Sequence, residues 1–119
     1  MILELLRRRV IEDIEQERRR QLCVENWSAD HDDTHDQGEL SAAASCYAMN
    51  ASCLTHPHNG TSMEFDTVSA LGWPWNEAAW KPKDARRDLV RTAALIVAEI
   101  ERLDRCSPAA PATTSEGKP

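Results

Sequence analysis

The first apolar pattern in the chain lies within residues 2–22, a stretch without Gly or Pro. Its large aliphatic side chains recur every three or four positions, the spacing of one helix face, at Leu3, Leu6, Val10 and Ile14. From position 12 onward the stretch is almost wholly charged. The pattern predicts a first helix with an apolar front half and a rear half that is either solvated or faces a polar partner or ligand.

Small apolar residues at the same spacing predict a second helix over residues 37–51. The predicted face comprises Leu40, Ala43, Ala44, Tyr47, Ala48 and Ala51. Because alanine side chains are short, this face permits close approach to a neighbouring helix. The polar residues 24–36 before it favour a loop. Residues 52–71 show no periodicity and contain a turn cluster at 56–60, so they predict a mobile surface loop.

The longest amphipathic pattern follows a segment that holds three tryptophans. Residues 73–80 predict one short helical turn before Pro82, and Asp84 is a suitable N-cap for a third long helix. The stripe predicted to be buried comprises Leu89, Ala93, Ile96, Ile100 and Leu103, joined by Val90 and Val97. At ~1.5 Å per residue, this helix of about 20 residues is roughly 30 Å long. We expect the rest of the chain to pack against it.

Together these elements predict an all-α fold: a small domain of three to four helices with long loops, spanning residues 1–106. A chain of 119 residues has room for one domain with one modest core, and not for two. Residues 107–119 are rich in Pro, Ala, Ser and Thr and hold no core residues. They are expected to form a disordered tail.

The chain carries a net charge of −6, and no Lys or Arg occurs between Arg20 and Lys81. This balance disfavours duplex nucleic acid as a partner, because such binding needs a basic face to displace counterions. The four cysteines form no CxxC pair, which favours reduced thiols. Without an apolar run near the ~20 residues of a membrane span, the sequence predicts a cytoplasmic protein with no membrane partner. An exposed alanine-rich or leucine-rich face on so small a domain favours a homo-oligomer.

A set of aromatic and cationic residues is the first candidate for a functional site. It comprises Trp27, Trp73, Trp75, Trp80, Lys81, Lys83, Arg86 and Arg87. Aromatic faces stack on nucleobases and cationic groups hold phosphates, so the set predicts a site for a nucleotide or another small phosphorylated ligand. In the alternative interpretation, the tryptophans supply apolar mass to a domain that has one Phe and one Tyr.

A run of acidic residues and histidines is the second candidate. Imidazole and carboxylate groups bind divalent cations, so His31, Asp32, His35 and Glu39 are candidate ligands for Mg²⁺, Mn²⁺ or Zn²⁺. Their spacing matches no strong metal motif. In the alternative interpretation, they form a solvated loop and a helix N-terminus enriched in acids, which the helix dipole favours.

Five short motifs stand out: ERRRQ at 17–21, HDD at 31–33, GEL at 38–40, WPW at 73–75 and WKPKDARRDLVRTAALIVAEIERLDR at 80–105. With them the chain resembles, over roughly residues 10–105, a family of small phage- and prophage-encoded accessory proteins without an assigned activity. The resemblance implies a viral or prophage origin, a cytoplasmic location in the bacterial host cell and dispensability for virion assembly. It carries over no catalytic residue.

The carboxylates show a weaker resemblance to the MazG-like all-α nucleotide pyrophosphohydrolases. That family holds Mg²⁺ with an ExxE pair on one helix and an ExxD pair on the next, which neutralises a triphosphate for attack by water. Glu12 and Glu15 have the first spacing, and Glu39 lies on another helix, but Asp84 and Asp88 form DxxxD. Alternatively, Glu12 and Glu15 are surface residues paired with arginines.

Three classes of function therefore remain. The preferred one is a phage accessory protein that binds a nucleotide, such as a host immune signalling nucleotide, by Trp stacking and Lys/Arg contacts, at an oligomer interface. The second is a metal-dependent nucleotide pyrophosphohydrolase. The third is an inhibitor of a host protein, with the acidic residues 25–39 as the contact surface. Binding is preferred over catalysis because the carboxylate spacing departs from that of the enzyme family.

Overall fold

The computed structural model describes residues 1–23, 32–57 and 60–106. Within these residues the chain forms four α-helices of seven or more residues and no β-strand, which confirms the predicted all-α fold. The helices are α1 (Ile2–Cys23), α2 (Glu39–Thr55), α3 (Phe65–Leu71) and α4 (Ala85–Cys106), and a 3-10 turn, Glu77–Ala79, precedes α4. None of the described helices combines the length and the apolar character needed to span a bilayer. The predicted tail at 107–119 lies outside the described residues.

Helix α4 is the centre of the fold, because both α1 and α2 pack against it. Alanines line the contact between α2 and α4: Ala43 and Ala44 on one helix and Ala94 and Ala98 on the other are buried. Their short side chains allow the two helix axes to approach closely. The predicted alanine-rich face of α2 is confirmed, with Leu40, Tyr47 and Ala51 also buried and Ala48 half-buried.

The stripe predicted to be buried on α4 is largely exposed, so that prediction was wrong. Leu89 is 51 % exposed, and Ile96, Ile100 and Leu103 are exposed to a similar extent. Val90, which was predicted with the stripe, is buried, and the face that meets the core also carries Ala94, Leu95 and Ala98 together with the paired polar residues Asp88, Arg91 and Arg102. The helix has apolar residues on two faces, and the face with smaller side chains is the one that fits against α2.

Helix α1 has the opposite arrangement from the usual amphipathic helix. Residues 1–12 are all exposed, including the apolar front half. The charged rear half holds the three buried residues of the helix, Glu17, Arg18 and Gln21. The rear half was predicted to be either solvated or in contact with a polar partner or ligand. These three residues are not solvated.

Part of the segment 52–71 is helical, which corrects the prediction of a mobile loop. Helix α2 continues to Thr55, and α3 follows ten residues later. Val68 on α3 is fully buried in the core. The side-chain oxygen of Asn50, on α2, accepts a hydrogen bond from the Met63 backbone N–H at 2.7 Å and so ties the approach to α3 onto the domain. A helix of seven residues shows too few repeats to reveal a period, and tertiary packing stabilises it.

The start of α4 follows its local sequence signals. The predicted turn before Pro82 is the 3-10 turn, in which the Asn76 side chain accepts a hydrogen bond from the Ala79 backbone N–H. The predicted N-cap is confirmed, because Asp84 Oδ1 accepts a hydrogen bond from the Arg87 backbone N–H at 2.8 Å.

Candidate functional site

A cavity of about 410 Å³ lies where α1, α2, α4 and the tryptophan-rich segment meet. Four of the predicted ligand-binding residues line it: Trp73, Trp75, Lys81 and Lys83. Helices contribute five polar or aromatic residues that the sequence prediction did not include: Glu17, Arg20, Gln21, Tyr47 and Arg91. The cavity is therefore formed by residues more than sixty positions apart in the chain.

The aromatic side of the cavity is anchored in the core. Trp73 is buried, and its Nε1 donates a hydrogen bond to the Asn76 carbonyl oxygen at 3.1 Å. The rings of Trp73 and Trp75 meet edge to face at 5.5 Å, an arrangement favoured by the aromatic quadrupole. Trp75 is half-buried. Its ring is thus oriented by Trp73 while part of its surface stays accessible for stacking.

Tyr47 fastens the segment that carries the lysines. Its hydroxyl accepts a hydrogen bond from the Lys81 backbone N–H at 3.1 Å and donates one to the Ala79 carbonyl oxygen at 3.5 Å. Burial raises the pKa of Tyr47, so the hydroxyl keeps its proton at neutral pH. The Arg91 guanidinium lies 5.4 Å from the centre of the Tyr47 ring and also donates to the Lys81 carbonyl oxygen. Lys81 is therefore held by its backbone on both sides.

Lys83 is held in the same manner. Its backbone N–H donates to Asp88 Oδ1 at 2.8 Å, and Asp88 Oδ2 accepts a hydrogen bond from the Asn50 side chain at 2.7 Å. Both Asp88 and Asn50 are fully buried. The side chains of Lys81 and Lys83, in contrast, are exposed, and neither ammonium group forms an ion pair with the described residues. A rigid backbone thus presents two available cations at the cavity.

The α1 side of the cavity is built around the buried carboxylate of Glu17. Both oxygens accept hydrogen bonds from Arg20 at 2.9 Å, and Arg87 forms an ion pair with the same group. Gln21 Nε2 donates a further hydrogen bond at 3.3 Å. Burial by itself raises the pKa of Glu17, but the Arg20 hydrogen bond and the charges of Arg87 and Arg20 outweigh it and hold the pKa below its usual value.

The lining of the cavity is strongly positive. Among the described residues of the lining, Arg20, Lys81, Lys83 and Arg91 supply four positive charges against the one negative charge of Glu17, which leaves +3. The whole chain carries −6. The electrostatic attraction of the cavity for an anion is therefore a local property that the overall composition conceals.

The remaining members of the predicted aromatic and cationic set have other roles. Trp80 stacks on Tyr47 with ring centres 4.8 Å apart, and its Nε1 donates to the Met63 carbonyl oxygen at 3.2 Å, so it belongs to the packing of the core. Arg87 pairs with Glu17, and Arg86 pairs with Asp13 at 2.8 Å on the surface. None of the three lines the cavity. Trp27 lies outside the described residues.

The predicted metal ligands are only partly described, because His31 lies outside the described residues. Asp32 is fully buried and pairs with Arg18 at 2.7 Å, so the solvated-loop interpretation is wrong for this residue. His35 Nδ1 lies 3.8 Å from Glu39 Oε2. Across residues 1–23, 32–57 and 60–106, no three His, Cys, Asp or Glu side chains are grouped as metal ligands. Binding of Mg²⁺ or another divalent cation stays a prediction.

Arginines from two helices neutralise part of the acidic run. Besides the buried pair of Asp32 with Arg18, Asp33 pairs with Arg105 of α4 at 2.8 Å. These pairs attach residues 32 and 33 to α1 and α4. Two carboxylates of the acidic surface proposed for a protein partner are therefore engaged within the chain.

The carboxylates of the MazG-like interpretation do not form one site in the described part of a single chain. Asp88 is buried and occupied by Asn50 and the Lys83 backbone, and Asp84 caps α4. Glu12 and Glu15 lie on the exposed surface of α1. Both carboxylates of the DxxxD pair, Asp84 and Asp88, are therefore occupied by hydrogen bonds within the chain.

Comparisons with protein-family profiles, curated proteins and solved structures found no significant match to the chain. The site therefore rests on its own geometry. Three of the five residues that the site prediction omitted, Glu17, Arg20 and Gln21, had one signal in the sequence: the dense polar run ERRRQ at 17–21, on the half of α1 expected to be solvated or to face a polar partner or ligand.

Proposed function

We propose that the protein binds a nucleotide or another small phosphorylated ligand in the cavity lined by Trp75, Lys81 and Lys83. The observation that carries the proposal is that the described lining of a cavity bordered by aromatic rings holds four cationic side chains against one carboxylate. Phosphate groups are the anions that such a set of lysine and arginine donors binds, and aromatic faces accept stacked bases. The volume of about 410 Å³ falls in the usual range for small-ligand sites.

The proposed roles follow from which groups are already occupied. Lys81 and Lys83 have exposed ammonium groups and fixed backbones, so they are assigned to the phosphates. Trp75 offers the more accessible indole of the two that line the cavity and is assigned to the base. Arg20 and Arg91 are engaged with Glu17 and Lys81, and they contribute their charge.

The resemblance to phage accessory proteins gives this binding a biological setting. In that setting, the protein sequesters a host immune signalling nucleotide in the cytoplasm of the bacterial cell. Sequestration requires binding without turnover.

The test compares two variants that remove one positive charge each. Lys81→Ala removes a cation from the cavity, whereas Arg86→Ala removes one from the surface outside it. Isothermal titration with ATP, GTP, CTP and UTP is expected to show binding to the wild type, a loss of about tenfold or more in Lys81→Ala and no comparable loss in Arg86→Ala. Equal losses in both variants would mean that net charge, and not this cavity, attracts the ligand.

A second measurement separates binding from catalysis. Each nucleotide is incubated with the protein and Mg²⁺ and then analysed by ion-exchange chromatography. We expect the nucleotide to be recovered unchanged. Conversion of a triphosphate to a monophosphate, at a rate proportional to protein concentration, would replace the binding proposal with the pyrophosphohydrolase alternative.

A further inference from the structure

Gln21 presents a buried hydrogen-bond acceptor that no residue in the described part of the chain uses. The residue lines the cavity and is 2 % exposed. Its Nε2 donates to the Glu17 carboxylate, which can only accept, and this contact determines which end of the amide faces away from Glu17. No described residue donates a hydrogen bond to Gln21 Oε1. Since a buried polar atom without a partner is costly, a ligand that donates to this oxygen gains affinity.

Resting on the proposed nucleotide function, we propose that Gln21 selects bases that carry an exocyclic amino group. The Glu17 carboxylate is already occupied by Arg20, Arg87 and Gln21, so Gln21 Oε1 is the acceptor at this end of the cavity that complements an N–H donor. Adenine, guanine and cytosine each have an amino group that projects from the base edge, whereas uracil and hypoxanthine have none and offer on that edge only a ring N–H beside a carbonyl oxygen. A base stacked on Trp75 with its amino edge toward α1 would satisfy the oxygen.

Two nucleotides that differ by a single amino group test this selection. GTP and ITP share all atoms except the 2-amino group, so the ratio of their dissociation constants isolates that group. We expect the wild type to bind GTP about tenfold or more tightly than ITP, which corresponds to one hydrogen bond to a buried acceptor. In Gln21→Met, which keeps the length of the side chain but removes the acceptor, the ratio is expected to fall towards one.

The outcomes separate the two proposals. If GTP and ITP bind the wild type equally well, the selection by Gln21 is refuted while nucleotide binding stands. If no nucleotide binds, the proposed function itself is refuted. The comparison of GTP with ITP in the wild type needs no variant, so it remains decisive even if Gln21→Met fails to fold, which circular dichroism would reveal.

A separate observation concerns the apolar surface that α1 and α4 leave uncovered. A groove of about 620 Å³ between the two helices is lined by Ile11, Ile14, Ala93, Ile96 and Val97, with Glu15, Arg18, Arg19 and Glu101 at its edges. Beyond the groove, residues 1–12 of α1 are exposed throughout, and Leu3 is 78 % exposed. A patch of this kind is larger than monomeric soluble proteins usually leave in water.

The second inference, independent of the ligand, is that a second copy of this chain covers the surface, with the first half of α1 from each copy lying on the groove of the other. The front half of α1 is exposed throughout, and helices in proteins draw most of their stability from packing of an apolar face, so a partner that covers this half stabilises it. Its stripe of Leu3, Leu6 and Val10 has the spacing that fits an apolar groove between helices. The same surface then serves both copies, as a two-fold axis requires.

Charge and apolar surface both favour this occupant. The exposed half of α1 carries Arg7, Arg8 and Arg9 against Glu4 and Glu12, whereas the exposed surface of α4 carries Asp104 and Glu101, the latter already paired with Arg18. When the front half of α1 (the arm, residues 1–12) of each copy lies on the other copy, these arginines approach the acidic residues of α4 across the interface. The exposed aliphatic residues available to this interface are Ile2, Leu3, Leu6, Val10, Ile11, Ile96, Ile100 and Leu103. A standard interface buries roughly 800 Å² on each partner, and these residues form the apolar part of the surface proposed for it.

Light scattering coupled to size-exclusion chromatography tests the dimer on the full chain. The expected mass is twice 13.4 kDa. Ile96→Glu and Leu6→Glu, one in the groove and one on the arm, are each expected to give the monomer mass. Leu71→Glu is the matched control, because Leu71 is equally exposed but lies on α3, away from the groove. A monomeric wild type, or dimers that persist in both groove and arm variants, would overturn the inference.

Discussion

Replacing Asp88 is expected to destabilise the fold and loosen the lysine segment together. The carboxylate is fully buried and accepts one hydrogen bond from the Lys83 backbone and one from the Asn50 side chain. Asp88→Ala leaves both donors without this acceptor. An unsatisfied buried donor costs about 1–3 kcal/mol, so we expect the free energy of unfolding to fall by about 2–5 kcal/mol.

Asp88→Asn separates the two hydrogen bonds. The variant keeps one acceptor oxygen but places an NH₂ group against a donor. Asn50 cannot relieve this by rotating its amide, because its own oxygen already accepts from the Met63 backbone. The free energy of unfolding should therefore fall in Asp88→Asn by about half as much as in Asp88→Ala, on the order of 1–3 kcal/mol. Asp66→Ala, a change at an exposed carboxylate of α3, serves as the control and should cost little.

Urea unfolding followed by tryptophan fluorescence measures these differences, provided that the slope m is the same in all variants. Three of the four tryptophans lie in the segment next to Lys81, so the signal also reports on the site. The reasoning would be refuted if Asp88→Ala unfolded within about 0.5 kcal/mol of the wild type, the range of an ordinary surface substitution. It would also be refuted if Asp66→Ala cost as much as Asp88→Ala.

Two further predictions test the buried face of α4 and the buried carboxylate of α1. Leu95→Ala should lower the free energy of unfolding by about 2–5 kcal/mol, whereas Leu89→Ala should cost under about 1 kcal/mol, because Leu95 is 2 % exposed and Leu89 is 51 % exposed; equal costs by urea unfolding would contradict the assigned face. Since the folded-state pKa of Glu17 lies below the ordinary value of 4.5, its contribution to stability is complete above that pH and is lost as the pH falls through the folded value. Glu17→Gln should therefore be less stable at pH 7 and lose less stability on acidification, and parallel pH profiles for the two proteins would argue against the depressed pKa.

Local signals in the sequence were sufficient to predict α2 and α4, the two long helices that form the core, and the residue at which α4 begins. The alanine spacing of α2 repeats often enough to define a face, and the cap at Asp84 depends only on residues within one turn. Helix α3 was missed because its stability comes from burying Val68 against the rest of the core. That contact is absent from the local pattern.

The candidate site was half predictable for a similar reason. The tryptophans and lysines at 73–83 are close together in sequence, so their residue types were enough to indicate a place for a phosphorylated ligand. Glu17, Arg20 and Gln21 join them only because α1 packs across α4. Trp80 is the same residue type as Trp75 and could equally have stacked on a base, but its ring stacks on Tyr47 and does not line the cavity.

The sequence by itself determined an all-α chain, the alanine face of α2, the capped start of α4 and the residue types available for binding. The tertiary structure decided which face of α4 enters the core, which tryptophans remain at the cavity and which polar residues of α1 complete it. The physical reason is that a periodic pattern of apolar residues identifies a face of a helix that can be buried. It does not identify the part of the protein against which that face packs. Ala94 and Ala98 of α4 lie in the contact with α2, whereas Leu89, Ile96, Ile100 and Leu103 face outward, because small side chains allow the two helices to approach.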